Sequence, residues 1–155
     1  AEKAQSREFV TVQPKESLST LSKAKITINN YLGGQYFFTV DEVIISKEKL
    51  SLIECKHTVN AVLPSKGDIK DGLLKMILYC NLSETKVNGK KTSCQSILEL
   101  TSTKLKGAIS SKSSSTEVEN FFSENNFNTT QKNLVTSLFA ETKSNKFTVT
   151  IKQVQ

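Results

Sequence analysis

Thr39-Val40-Asp41-Glu42-Val43-Ile44-Ile45 and Leu50-Ser51-Leu52-Ile53-Glu54-Cys55-Lys56 are two runs rich in strand-forming residues, separated only by Ser46-Lys47-Glu48-Lys49. So short a connection makes them the arms of an antiparallel hairpin. With the turn centred between Lys47 and Glu48, Ile45 faces Leu50, Val43 faces Leu52 and Asp41 faces Glu54. A two-residue turn and a four-residue loop closed by Ile45 and Leu50 share that centre, and Lys47-Glu48 lacks the Asn-Gly signature that would choose the former. A three-residue loop would slip the pairing by one and set Glu42 opposite Glu54. We prefer Asp41, because the slip puts Glu42 on the functional face and turns Val43 and Ile45 away from Leu50 and Leu52. Side chains alternate along a strand, so Lys56 shares a face with Glu54. Two carboxylates and an ammonium are thereby expected to converge at one end of the hairpin.

Opposed residues on one sheet face have Cβ atoms ~4.5–5.5 Å apart, and like charges there destabilise the sheet unless something compensates them. A divalent cation does so, and Mg²⁺ takes one or two carboxylates plus waters and phosphate oxygens. Lys56 beside it is placed to orient a water for attack on phosphorus and to stabilise developing charge.

An acid ending one strand, followed by Glu-x-Lys on the next, resembles the signature of the PD-(D/E)XK nuclease superfamily. The chain looks most like the catalytic domain of a type II restriction endonuclease. The match runs through Val40-Asp41 and Ile53-Glu54-Cys55-Lys56, with Val40 where the motif's name has Pro. The resemblance implies a restriction-endonuclease-like α/β core: a central mixed sheet, a hairpin carrying the active site, and flanking helices. It implies a Mg²⁺-dependent endonuclease (with Mn²⁺ as substitute) that hydrolyses phosphodiester bonds of double-stranded DNA, and a homodimer that pairs two such sites. Asp41 and Glu54 would then bind the metal, the backbone carbonyl of Cys55 would supply a further ligand, and Lys56 would attend the attacking water. Many members also carry a Glu on an N-terminal helix, for which Glu8 and Glu16 are the candidates here.

Glu-x-Lys is a short motif and recurs at Glu84-Thr85-Lys86 and Glu141-Thr142-Lys143. The former reads as the end of one helix and the latter as near the end of another, so both are expected to be solvated surface charges. Only Glu54-Cys55-Lys56 lies on an apolar strand with an acid-bearing strand before it.

Outward from the hairpin, residues 8–13 read as a strand ended by Pro14, 17–23 as a helical turn or loop, 25–29 as a short strand, and Gly33-Gly34 as a turn. Ile69, Leu73, Met76, Ile77 and Cys80 form one face of a helix over 68–82, with Asp68 as N-cap and Asp71 in its first turn. Asn88-Gly89 signals a turn and 94–101 a strand. Residues 110–116 read as a Ser-rich linker or loop, 117–125 and 130–143 as helices, and 147–154 as a final strand. This order describes a single mixed α/β domain over 1–155, with its core in about 25–101 and C-terminal helices and strand in 117–155.

The 155 residues are 37% hydrophobic and 23% charged, which excludes wholesale disorder. No apolar run approaches the ~20 residues of a membrane helix, and no secretory leader opens the chain. Three cysteines without a Cys-x-x-Cys pair exclude a disulfide scaffold and a four-ligand zinc site, and favour a reducing, cytoplasmic setting. Cys55 reads as a small core residue, and His57, on the opposite face from Glu54, as a structural histidine. The net charge of +6 is spread evenly and reads first as a Lys-rich solvated surface, Lys66, Lys70 and Lys75 included, although it also suits a polyanion. The sole Arg is Arg7, whereas guanine edges are read mainly by Arg. Since the chain starts at Ala1 and its single Met is Met76, it is expected to be a piece of a longer protein whose other part reads the target. A different class remains open: a catalytically silent binding or assembly module in which Asp41, Glu54 and Lys56 form a salt-bridge cluster. A secreted Lys/Ser/Thr-rich surface domain is disfavoured by the odd cysteine count and by the hairpin.

Overall fold

A computed structural model describes residues 9–12, 20–29, 33–45, 49–82, 84–87 and 90–154. In chain order the elements are β1 (Phe9–Val12), β2 (Thr20–Asn29), β3 (Gln35–Ile45), β4 (Lys49–Thr58), α1 (Lys66–Cys80), β5 (Glu84–Val87), β6 (Lys90–Lys91), β7 (Ser93–Ser102), β8 (Ala108–Ser110), α2 (Ser115–Glu124), α3 (Thr129–Asn145) and β9 (Thr148–Gln153). The fold is mixed α/β, with parallel and antiparallel strand pairs. The chain forms two compact units, Ala1–Ile53 with Leu78–Ser96, and Glu54–Ile77 with Ile97–Gln155. Their boundary falls within β4, α1 and β7.

In the first unit the strands run in the order β6-β5-β1-β2-β3-β4, antiparallel except for the parallel β1–β5 pair. β3 pairs with β4 in the preferred register: Ile45 opposes Leu50, Val43 opposes Leu52 and Glu42 opposes Ile53. The one-residue slip is thereby excluded. Its physical reason is visible in burial, since Val43, Leu50 and Leu52 are all buried and a slip would split them between faces. The turn at Lys47-Glu48 lies outside the described residues, as do Asn88-Gly89, Glu8 and Glu16.

Two expectations are corrected here. Thr20 to Lys23 extend β2 instead of forming a turn, because β3 is long enough to pair them: Thr20 opposes Ile44 and Leu21 opposes Val43. Glu84-Thr85-Lys86 is not a helix end but part of β5, which gains ladder partners on both sides, β1 and β6.

In the second unit β7 and β9 are parallel, with Leu98 opposite Val149 and Leu100 opposite Ile151, and β8 adds to β9 antiparallel. These four side chains are fully buried. α2 lies against β8 and α3 against β9, which lets Phe121, Phe122, Val135 and Leu138 bury on the helix side. Phe127 stacks on Phe122 with ring centroids 5.1 Å apart, and aromatic pairs at this spacing add about 0.5–1.5 kcal/mol beyond area burial.

The Ser-rich stretch 110–116 holds the short loop expected there, from Ser111 to Ser114, and that loop also caps the helix after it. Ser110 ends β8, the Ser111 amide donates to the Val149 carbonyl (2.9 Å), and the Val149 amide donates to Ser111 Oγ (3.2 Å). Ser114 and Glu117 form a reciprocal capping box that starts α2 at Ser115. Serine hydroxyls suit this work because they satisfy the orphan amides of a turn and a helix start. Asn128 and Gln131 do the same for α3.

Candidate active site

The site is built in the second unit from the end of β4 and the first turns of α1. Along β4, Glu54 continues the buried face of Leu50 and Leu52, and the period of two brings Lys56 onto it. Lys56 Nζ lies 3.0 Å from Glu54 Oε1, so the expected carboxylate–ammonium pair forms. Glu54 is only 1% exposed.

Helix α1 starts earlier than expected, at Lys66. Ser65 takes the capping role assigned to Asp68: its Oγ accepts from the Asp68 amide (3.1 Å) and donates to Asp68 Oδ2 (2.6 Å). Serine is at least as good a cap, and its position leaves Asp68 in the acid-favouring first turn. One helical repeat further on, Asp71 and Lys75 stand four residues apart and both reach the β4 pair. Lys56 Nζ donates to Asp71 Oδ2 at 2.6 Å, and Lys75 Nζ donates to Glu54 Oε1 at 2.7 Å. Gly72 lies between them because nothing larger fits: a Cβ there would stand 2.6 Å from Leu98 Cδ1 and 3.4 Å from Lys56 Cε.

Electrostatics follow from this placement. Burial pushes the Lys56 ammonium toward losing its proton, but its hydrogen bonds to Asp71 and Glu54, and their charges, outweigh that and hold its pKa above the ordinary lysine value. The hydrogen bond from Lys56, and then its charge, hold the Asp71 carboxyl below the ordinary aspartate value; burial opposes this slightly and the Lys75 charge adds to it. Glu54 Oε2 is buried and, among the described residues, has no hydrogen-bond partner.

Lys75 is therefore not a solvated lysine as the charge pattern suggested, since α1 turns it onto a buried carboxylate. Lys66 and Lys70 are exposed as expected. Asp71, Gly72 and Lys75 went unread as site residues; the signal is the Asp-Gly-x-x-Lys spacing, which sets an acid and a base one turn apart around a residue with no side chain. His57 is hydrogen-bonded through Nδ1 to Thr101 Oγ1 at 2.9 Å, a structural role as expected. Cys55 is half-buried and free of any disulfide. Asp41 is half-buried in β3 of the first unit, one residue before the Glu42 that opposes Ile53.

Among the described residues, no three His, Cys, Asp or Glu side chains gather as metal ligands. The donor chemistry nevertheless suits the Mg²⁺ that the motif implies: a hard cation binds carboxylate oxygens, and Glu54 Oε2 is one that none of the described residues satisfies. Among the described residues, no helix is long and apolar enough to cross a membrane. No protein-family model, curated protein or solved structure matches this chain.

Proposed function

We infer that the protein is a metal-dependent endonuclease of the restriction type, acting on double-stranded DNA and working as a homodimer with a restriction-endonuclease-like core. One observation carries this reading: Glu54 is almost fully buried with Lys56 Nζ 3.0 Å away, while its second oxygen has no hydrogen-bond partner among the described residues. A buried unpaired carboxylate oxygen is costly to keep and points to a ligand.

The motif assigns Mg²⁺, or Mn²⁺ in its place, to Asp41, Glu54 and the backbone carbonyl of Cys55. When bound, the ion supplies Lewis-acid polarisation of the phosphodiester. Lys56 orients the attacking water and stabilises negative charge as it grows on the phosphate oxygens. Asp71 positions that ammonium, since its hydrogen bond fixes where Nζ sits and keeps it protonated.

Supercoiled-plasmid cleavage with Mg²⁺, Mn²⁺ or EDTA tests this, run beside Asp41→Ala and Lys56→Ala proteins of verified fold. The expected result is metal-dependent cutting that falls by roughly 10²–10³-fold or more in each variant. Cutting that survives both substitutions would place the chemistry elsewhere.

A second reading is favoured by a specific observation. Glu54, Lys56, Asp71 and Lys75 form a charge-balanced ion-pair chain of two carboxylates and two ammonium groups. In a silent binding or assembly module that chain would simply pin α1 to β4, and Mn²⁺ would not bind.

A further inference from the structure

Glu54 engages two ammonium groups through a single oxygen. Lys75 Nζ stands 2.7 Å and Lys56 Nζ 3.0 Å from Oε1, while Oε2 is buried and, among the described residues, without a hydrogen-bond partner. The two lysines are not equivalent. Lys56 has a second carboxylate at 2.6 Å in Asp71, which holds it beside α1 even if it loosens from Glu54. Lys75 arrives from the next turn of the helix on a long flexible stem, with about a quarter of its side chain exposed (27%). A divalent cation approaching Oε2 meets both positive charges, and repulsion at such distances is strong where water is largely excluded. The charge with a route away is Lys75, which can swing into solvent without leaving a buried carboxylate unpaired once the cation has arrived.

We propose that Lys75 is a resident counter-ion of Glu54 that competes with the divalent cation, so that metal occupancy at Glu54 requires the Lys75 ammonium to release the carboxylate. This deepens the nuclease reading and rests on Glu54 being a metal ligand. It also gives the displaced ammonium a purpose. A DNA phosphate oxygen is a suitable new partner for it, so metal and DNA favour each other's binding.

The test is calorimetric Mn²⁺ binding without DNA to the full chain and to Lys75→Met, Lys75→Gln, Lys70→Met and Glu54→Gln proteins. Lys75→Gln keeps a hydrogen-bond donor and guards against loss of fold in Lys75→Met. Both Lys75 variants are expected to bind Mn²⁺ about tenfold or more tightly than the unaltered protein, because one adjacent positive charge is gone. Lys70→Met, an equal charge change at an exposed position of the same helix, should alter affinity by less than about twofold. Equal or weaker binding in both Lys75 variants, with binding lost in Glu54→Gln, overturns the competition while leaving Glu54 a ligand. No binding by any protein, or binding indifferent to Glu54→Gln, overturns the metal reading and this inference together.

Discussion

Lys56 stands between two carboxylates of unequal exposure, Glu54 at 1% and Asp71 at 57%. Its pKa is raised and that of Asp71 is lowered, so the signs of their pH dependence differ. The Asp71 contribution is present above the ordinary carboxyl value of 3.8 and is lost as pH falls through the depressed one. The Lys56 contribution is present below 10.5 and is lost as pH rises through the raised value. Replacing Lys56 by Met should therefore let the Asp71 carboxyl rise toward its ordinary range, followed by carboxyl NMR on the acid side. An Asp71 resonance that titrates unchanged would show that Lys56 does not hold it. At this scale the sequence is readable where the period of two applies: Glu54 and Lys56 share a strand, and alternation alone joins them. Lys75 and Asp71 are not readable that way, because their meeting with β4 depends on how α1 docks, a contact between residues distant in the chain. Cysteine chemistry is legible only in outline. Burial pushes the Cys94 thiol up to about 11, the hydrogen bond to Thr85 only partly opposing it, and such a thiol is a poor nucleophile at neutral pH.

Helix α1 shows how an element can be found and its purpose missed. The spacing of Ile69, Leu73, Met76, Ile77 and Cys80 marks the helix; Ile69 and Met76 are indeed buried, whereas Ile77, at the edge of that face, is exposed. Gly72, however, looks like a flaw in the pattern until the helix is seen against Lys56 and Leu98. Two effects compete in Gly72→Ala. Helix propensity favours Ala by about 1 kcal/mol, whereas overpacking a filled core costs about 1–3 kcal/mol. Leu98 is fully buried, so its methyl has little room to yield, and the clash should win. Urea unfolding of Gly72→Ala is expected to show net destabilisation, with cleavage reduced because Lys56 is displaced. A gain in stability would mean that α1 does not approach β4 this closely. The Ser-rich 110–116 stretch is legible as a loop from its composition, but only its position relative to Glu117 shows that the loop ends in a helix cap. Replacing Ser114 by Ala should cost about 1 kcal/mol, as for other N-caps, and let the Glu117 carboxyl rise part of the way toward its ordinary value, since the larger lowering cause, the Ser114 backbone N–H, stays and only the hydroxyl's hydrogen bond is lost. A Glu117 pKa unmoved by the change would argue against the box.

Across the whole chain, β3, β4, α1, β7, α2, α3 and β9 are legible because each run carries its own period and its own breaker, as with Ile97, Leu98 and Leu100 in β7. The extension of β2 and the β5–β6 pair are not, since pairing with β3 and β1 supplies what local pattern lacks. The net charge of +6 has a consequence of its own. In EDTA the protein should bind duplex DNA with an affinity that falls steeply between low and physiological salt, since each phosphate contact releases counter-ions. Fluorescence anisotropy measures this, and salt-independent binding would separate the charge from the function. The central claim is that the carboxylate–lysine pair on β4 cuts DNA. Its most direct test is single-turnover cleavage of plasmid DNA in Mg²⁺ by the unaltered protein and by Glu54→Gln, matched for fold by circular dichroism. The account predicts cutting by the former, abolished by EDTA, and a loss of roughly 10²-fold or more in the latter. Equal cutting by both would contradict it, and so would no cutting by either.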